Sequence, residues 1–194
     1  MPSGRSIAAF AVKFLVIYGA LAASGPLCGP AYALFCRESG NFMFDAVDAR
    51  NYVHIRAAVP PDAMKDTTLC FHVSPGQTRQ VTVSSWVMGF QPISLLIGLV
   101  LATPVSARRR LWGLFLGLAM LHAFVLARLA TFTILGPVVV SDTSWMNAVR
   151  ASVIDFIAGY AVSCFVPVLI WVAVTIRRED VRRFVGPTVK KVAA

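Results

Sequence analysis

The sequence predicts a mainly α membrane protein: a four-helix transmembrane bundle with a small antiparallel β insertion on the outer side between spans one and two. Three observations predict it. Hydrophobic residues make up 57% of the 194-residue chain and charged residues only 14%, where a soluble domain averages about 25% charged. Several apolar runs approach the ~20 residues that cross a hydrocarbon core. The net charge of +9 comes from basic residues gathered beside those runs, the pattern that orients membrane helices. A mean hydropathy of +0.71 excludes disorder, because such a chain has ample apolar surface to bury.

The first crossing falls within residues 1–36. Ile7 to Ala23 is apolar except for Lys13, and Phe14 to Cys36 is uncharged but carries Pro26 and Pro30. A cleaved signal with small residues at Ala22, Ala23 and Ser24 is the other reading of this segment; apolar character running on to Phe35 favours the span. The second span runs from about Trp86 to Ala107, the third from Leu111 to about Leu135 and the fourth from about Ala151 to Ile176. Arg108, Arg109 and Arg110 link spans two and three, and a basic tail over 177–194 follows span four. Basic flanks stay on the cytoplasmic side. Both termini and the triple-arginine link are therefore expected inside, in a multi-pass membrane protein. The positive charge reads as topology and as attraction to acidic lipid headgroups, so no nucleic-acid partner is expected.

Residues 37–85 form the expected extracytoplasmic β segment. Tyr52–Val59 alternates, with Val53, Ile55, Ala57 and Val59 on one face; Thr67–Ser74 alternates with Leu69, Phe71 and Val73 on one face; Gln80–Ser85 reads as a third strand. Pro60-Pro61-Asp62 and Ser74-Pro75-Gly76 read as turns. About 40 residues rarely stabilise a core alone, so the apolar face needs cover from the spans or a partner. Cys28 and Cys36 would face an oxidising compartment, but on one helix their Cα atoms stand roughly 12 Å apart, too far to bridge.

Arg128 is the most informative residue for chemistry, since an arginine within a span is costly and rarely faces lipid. Asp155 has similar depth in span four, and the two form a candidate intramembrane polar pair. Such a pair either fixes helix packing or aims a cation at a substrate carbonyl, carboxylate or lipid phosphate. His122, six residues away on the same span, reads as a buried, hydrogen-bonded histidine. Cys70-x-His72 puts a thiol and an imidazole on one strand face, an arrangement that can activate a thiolate but lacks an orienting third group. Ser94 and Gly98 in span two, Gly113 and Gly117 in span three, and Gly159 and Ser163 in span four are small residues at helix-contact spacing. No metal-ligand cluster, phosphate-binding glycine loop or nucleophile elbow is present in the sequence, and no cofactor is implied.

From Gly89 to Gly136 the chain reads GFQPISLLIGLVLATPVSARRRLWGLFLGLAMLHAFVLARLATFTILG. This stretch resembles the core of the exosortase/archaeosortase family of membrane transpeptidases. The resemblance implies a three-span helical core over 86–176 and a Cys–Arg–His catalytic set that acts on proteins bearing C-terminal sorting signals. Arg128, in LARLATFTILG, matches the arginine; Val87 occupies the cysteine position, and the histidine position falls near Asn147. Valine supplies no nucleophile for acyl transfer. The overall order of elements resembles membrane proteins associated with exosortase systems. The expectation is a pseudoenzyme: a non-catalytic partner that docks on the sorting enzyme or its substrate. Two alternatives stay open, a divergent thiol peptidase using Cys70 and His72, and a lipid-binding or assembly subunit of an envelope complex.

Overall fold

The computed structural model describes residues 4–47, 52–62, 65–74, 77–135, 145, 148–149, 152, 156 and 159–175. These form a mainly helical structure of five helices with a three-stranded antiparallel sheet. One helix, Ala107–Thr131, is long and apolar enough by itself to cross a membrane; Ile7–Ala23 with Gly25–Ala46 makes a second if that bent pair is one span.

Helix α1 spans Gly4–Ala23 and α2 spans Gly25–Ala46. Their axes differ by 70°. Pro26 has no N–H for the Ala22 carbonyl four residues back, and its ring crowds that carbonyl, so the helix breaks there. Ser24 seals the break, its Oγ donating to the Leu21 carbonyl at 2.6 Å. Gly25 is buried with the Trp86 ring against it, in space that a Cβ would occupy. The first apolar stretch is thus two helices meeting at a corner. Residues 37–46, expected in the β segment, complete α2 instead. Gly40 and Phe44 account for this, as both are buried at a spacing of four on the α2 face that meets the sheet.

Strands β1 (Val53–Asp62), β2 (Lys65–Ser74) and β3 (Gln77–Val83) form a meander in the order β1-β2-β3. Val53, Ile55, Leu69 and Phe71 turn inward and cluster with Phe44, Met88 and Leu129. The helices thereby supply the cover that so small a sheet requires. Two details of the expected alternation change. β1 continues through Pro60 and Pro61, and its register with β2 is irregular between Ala57 and Asp62. The extra length flips the faces, so Ala58 is buried while Ala57 and Val59 are exposed. β3 also starts earlier than expected and ends at Val83, because Ser84 and Ser85 lead into the next helix.

A π-helical turn at Trp86–Phe90 opens the next apolar helix and runs directly into α3, Gln91–Ala102. Helix α3 stops short of Ala107 because Thr103 precedes Pro104 and adopts extended geometry, ψ 131°. Helix α4 spans Ala107–Leu135, and α5 spans Tyr160–Thr175 with Pro167 inside it. A second apolar cluster of Leu96, Val100, Leu121 and Ile170 joins α3, α4 and α5 away from the sheet. Gly98 packs against Phe14 and Tyr18 of α1, and Gly117 against Leu96 and Ile170. A Cβ at these two positions would stand 3.3 and 3.2 Å from its nearest neighbours, whereas at Gly113 the distance is an ordinary 3.6 Å. Ser94 and Ser163 are also buried; Gly159 is half-buried.

Arginines close the bundle at the end away from the sheet. Arg109 Nη2 donates to the Thr175 carbonyl at 2.5 Å, at the C-terminus of α5. Arg110 Nη2 donates to the Thr103 and Val105 carbonyls at 3.2 and 3.4 Å, just past the end of α3. Both supply donors where helices leave carbonyls without intrahelical partners. Trp171 Nε1 donates to Thr103 Oγ1 at 2.9 Å and ties α5 to the same corner.

Candidate functional site

Arg128 is the largest fully buried side chain among the described residues, 2% exposed. It lies on α4 between Leu121 of one apolar cluster and Leu129 of the other. Its Nη1 donates to Ser163 Oγ at 3.0 Å and to the Met88 carbonyl at 3.4 Å. The Phe124 ring centroid is 5.6 Å from Cζ, placing an aromatic face beside the cation.

The local sequence explains why oxygen acceptors are available there. Met88 stands four residues before Pro92, and Pro92 has no N–H to close an i→i−4 bond. The Met88 carbonyl is left outside the α-helical ladder, and the π turn spanning it relieves the clash with the proline ring. On α5, Pro167 stands four residues after Ser163, so that carbonyl is released in the same way. Pro92 and Pro167 are both fully buried. Two prolines on two helices thus interrupt backbone bonding around a single guanidinium. Ser163 Oγ also donates to the Gly159 carbonyl at 3.3 Å, which orients its lone pairs toward Arg128.

The sheet fixes the π turn from above. Asp66 of β2 accepts the Ser85 backbone N–H at 2.9 Å and also the Ser85 hydroxyl proton. A carboxylate at a helix N-terminus is favoured by the unpaired N–H groups and by the helix dipole. Below the turn, Tyr32 of α2 lies against Gly89, where any side chain would collide with its hydroxyl. Cys36, Thr67, Ser85, Met88, Val125 and Leu129 help line a cavity of about 20 Å³ between the sheet, the π turn and α4. That is the size of one water molecule and far below what a peptide needs.

Of the positions implied by the family resemblance, Val87 is half-buried on the π turn and precedes Met88, whose carbonyl meets Arg128. Asn147 and Asp155 lie outside the described residues. His122 is half-buried; its Nδ1 lies 2.8 Å from the Leu118 carbonyl, and its ring meets Phe35 edge-on. Cys28 and Cys36 are both on α2, and both are free. Cys70 is 1% exposed, because on the central strand it is flanked by His54 and Gln80. The accessible group of that pair is His72, whose Nδ1 lies 3.3 Å from Thr78 Oγ1 and whose ring stacks on His54 at 5.3 Å. Burial, followed by the His72 and Arg56 charges, holds His54 below its ordinary value of 6.5. The hydrogen bonds of Met88, Ser163 and Asp66 were not anticipated; the proline four residues after Met88 was the legible signal for the first.

No family of known proteins, curated protein or solved structure matches the chain. What the fold defines is a helical protein carrying a small sheet, with one to two helices able to span a membrane.

Proposed function

We propose that the chain is a four-span protein of the bacterial inner membrane, with both ends cytoplasmic, that acts as a non-catalytic partner in exosortase-type protein sorting. Helices α1, α3, α4 and α5 are the four spans, and α2 with the sheet forms the outer cap. Large side chains on their outward faces, such as Leu15, Leu111, Phe115 and Phe165, are more than half exposed, as expected where lipid is the solvent.

The observation that carries the non-catalytic reading is the hydrogen bonding of Arg128 to Met88 and Ser163, with a valine preceding Met88 in the chain. A guanidinium that stabilises an acyl-transfer oxyanion must face a nucleophile; here its Nη1 is directed at a serine hydroxyl and a backbone carbonyl. The same 2% exposure weighs against contact with a lipid phosphate, and the burial of Cys70 weighs against a thiol mechanism at the sheet. Arg128 instead fixes the bundle beneath the sheet, so that the cap can dock on a sorting enzyme or its substrate.

The test is co-expression with a sorting enzyme from the same cell, followed by detergent extraction and affinity capture. Association that survives Arg128→Lys, together with a sorting defect in the deletion strain, is the expected result. Absence of association, with sorting unchanged on deletion, refutes the proposal.

A further inference from the structure

The two edges of the sheet are treated differently. His72 N donates to the Tyr52 carbonyl at 2.8 Å, which sets the phase of the ladder. In an antiparallel pair, residues alternate between bonding across and pointing away. Hence His54 and Arg56 bond toward β2, while Ile55 points to the free edge of β1. That edge is plugged: Asn41 Nδ2 donates to the Ile55 carbonyl at 3.0 Å, and Ile55 N donates to Asn41 Oδ1 at 2.8 Å. One side-chain amide takes the place of a neighbouring strand.

On the other edge, Val83, Val81 and Arg79 oppose Thr67, Leu69 and Phe71 and bond to β2. The N–H and C=O groups of Thr78, Gln80 and Thr82 consequently point outward. All three residues are exposed, and among the described residues no backbone bond reaches these groups. The strand contains no proline or lysine, the residues that commonly protect an edge.

We propose that β3 pairs with β3 of a second copy of this chain, antiparallel and centred on Gln80, to form a continuous six-stranded sheet. The sequence of the edge is self-complementary in that register. Gln80 meets Gln80, Thr78 meets Thr82, and Arg79 falls opposite Val81, so no two like charges come face to face. Threonine and amide pairs of this kind stabilise antiparallel neighbours. The twofold axis of an antiparallel edge contact is perpendicular to the sheet, so both copies turn the same face the same way. Both helical bundles then hang from one side of the joined sheet, which is the arrangement two copies in one bilayer require. This pairing does not depend on the sorting role, and its test is separate.

The experiment uses the full chain in native membranes, with the exposed Cys28 and Cys164 changed to serine. In a bonded antiparallel pair the Cα atoms are about 5.5 Å apart, within disulfide range. Gln80→Cys is expected to give a disulfide dimer on mild oxidation, about tenfold more than the β1 control Arg56→Cys, because paired edges raise the local thiol concentration. Thr78→Cys and Thr82→Cys are expected to cross-link when co-expressed and not when expressed singly. Gln80→Pro removes an outward N–H while sparing the bonds to β2; it is expected to abolish cross-linking of an added Thr78→Cys/Thr82→Cys pair. Equal cross-linking by Gln80→Cys and Arg56→Cys overturns the proposal. So does a Gln80→Cys product that contains only some other polypeptide, which would assign the edge to a foreign strand.

Discussion

Replacing Arg128 by leucine tests how the site is built. The substitution removes the charged donor's bonds to Ser163 and Met88, worth about 1.5–3 kcal/mol each before desolvation is counted. It also relieves the burial cost of the cation and adds apolar volume, which offsets much of that loss. What is not offset is the Met88 carbonyl: it loses its Arg128 donor, and Pro92 offers none. A buried acceptor left in that state costs about 1–3 kcal/mol, so Arg128→Leu is expected to destabilise by about 2–4 kcal/mol, a melting shift of roughly 5–15 °C. Pro92→Ala restores the missing N–H. In the natural chain that gain competes with the Arg128 bond, and the change is expected to be within about 1 kcal/mol of neutral. In the Arg128→Leu background it is expected to recover about 1–2 kcal/mol, since the new N–H reaches an otherwise unserved carbonyl. The assay is thermal unfolding of all four proteins in one detergent, followed by circular dichroism and by the monodisperse fraction remaining. A coupling below about 0.5 kcal/mol, within additivity, would refute the claim that Pro92 and Arg128 share the Met88 carbonyl.

Other outcomes follow from the same geometry. Gly89→Ala forces a methyl group into Tyr32 and should cost about 1–3 kcal/mol by overpacking, read as a lower melting temperature. Asn41→Leu removes both bonds to Ile55, and hydrogen exchange at the Ile55 amide should accelerate by about tenfold or more for a loss of ~1–2 kcal/mol. Below its ordinary 6.5, His54 stays neutral in the folded chain while the unfolded chain takes up a proton. Its stabilising contribution is therefore complete above that value and falls as pH drops through the lower folded value. An NMR titration should show this depression, and His72→Phe should shift His54 back upward. Maleimide applied to folded protein should label Cys28 and leave Cys70 unmodified, given their exposures, with mass spectrometry as the readout.

The helical segments and the meander were readable because their causes are local. Trp86 announces the start of its helix through hydropathy, whereas the stop at Thr103, before Pro104, was overrun to Ala107 because apolar character continues past it; the expected turn at Pro75-Gly76 lies outside the described residues. The corner at Ser24 was legible only as two competing first spans, since apolar character runs through it while Pro26 interrupts the bonding. Helix α2 reaches Ala46 because Gly40 and Phe44 have a sheet to pack on, and a tertiary surface of that kind has no signature in a ten-residue window. Arg128 stood out as a buried cation by cost alone. Its described partners did not, because one is a backbone carbonyl, available only through the coincidence of Pro92 with the fold. The outer face of β2 shows a related effect: Thr68 and Cys70 alternate as if exposed, yet strands on both sides cover them.

The arginine link ties together two properties usually treated as separate. In the four-span topology proposed above, its positive charge sets which way the chain threads into the bilayer, and lysine would serve equally. As planar multi-donor groups, Arg109 and Arg110 also latch the ends of α5 and α3, and there lysine is a poor substitute. Under that topology a triple lysine variant should insert in the normal direction while fraying at the end away from the sheet, which separates the instruction for threading from the clasp that follows it.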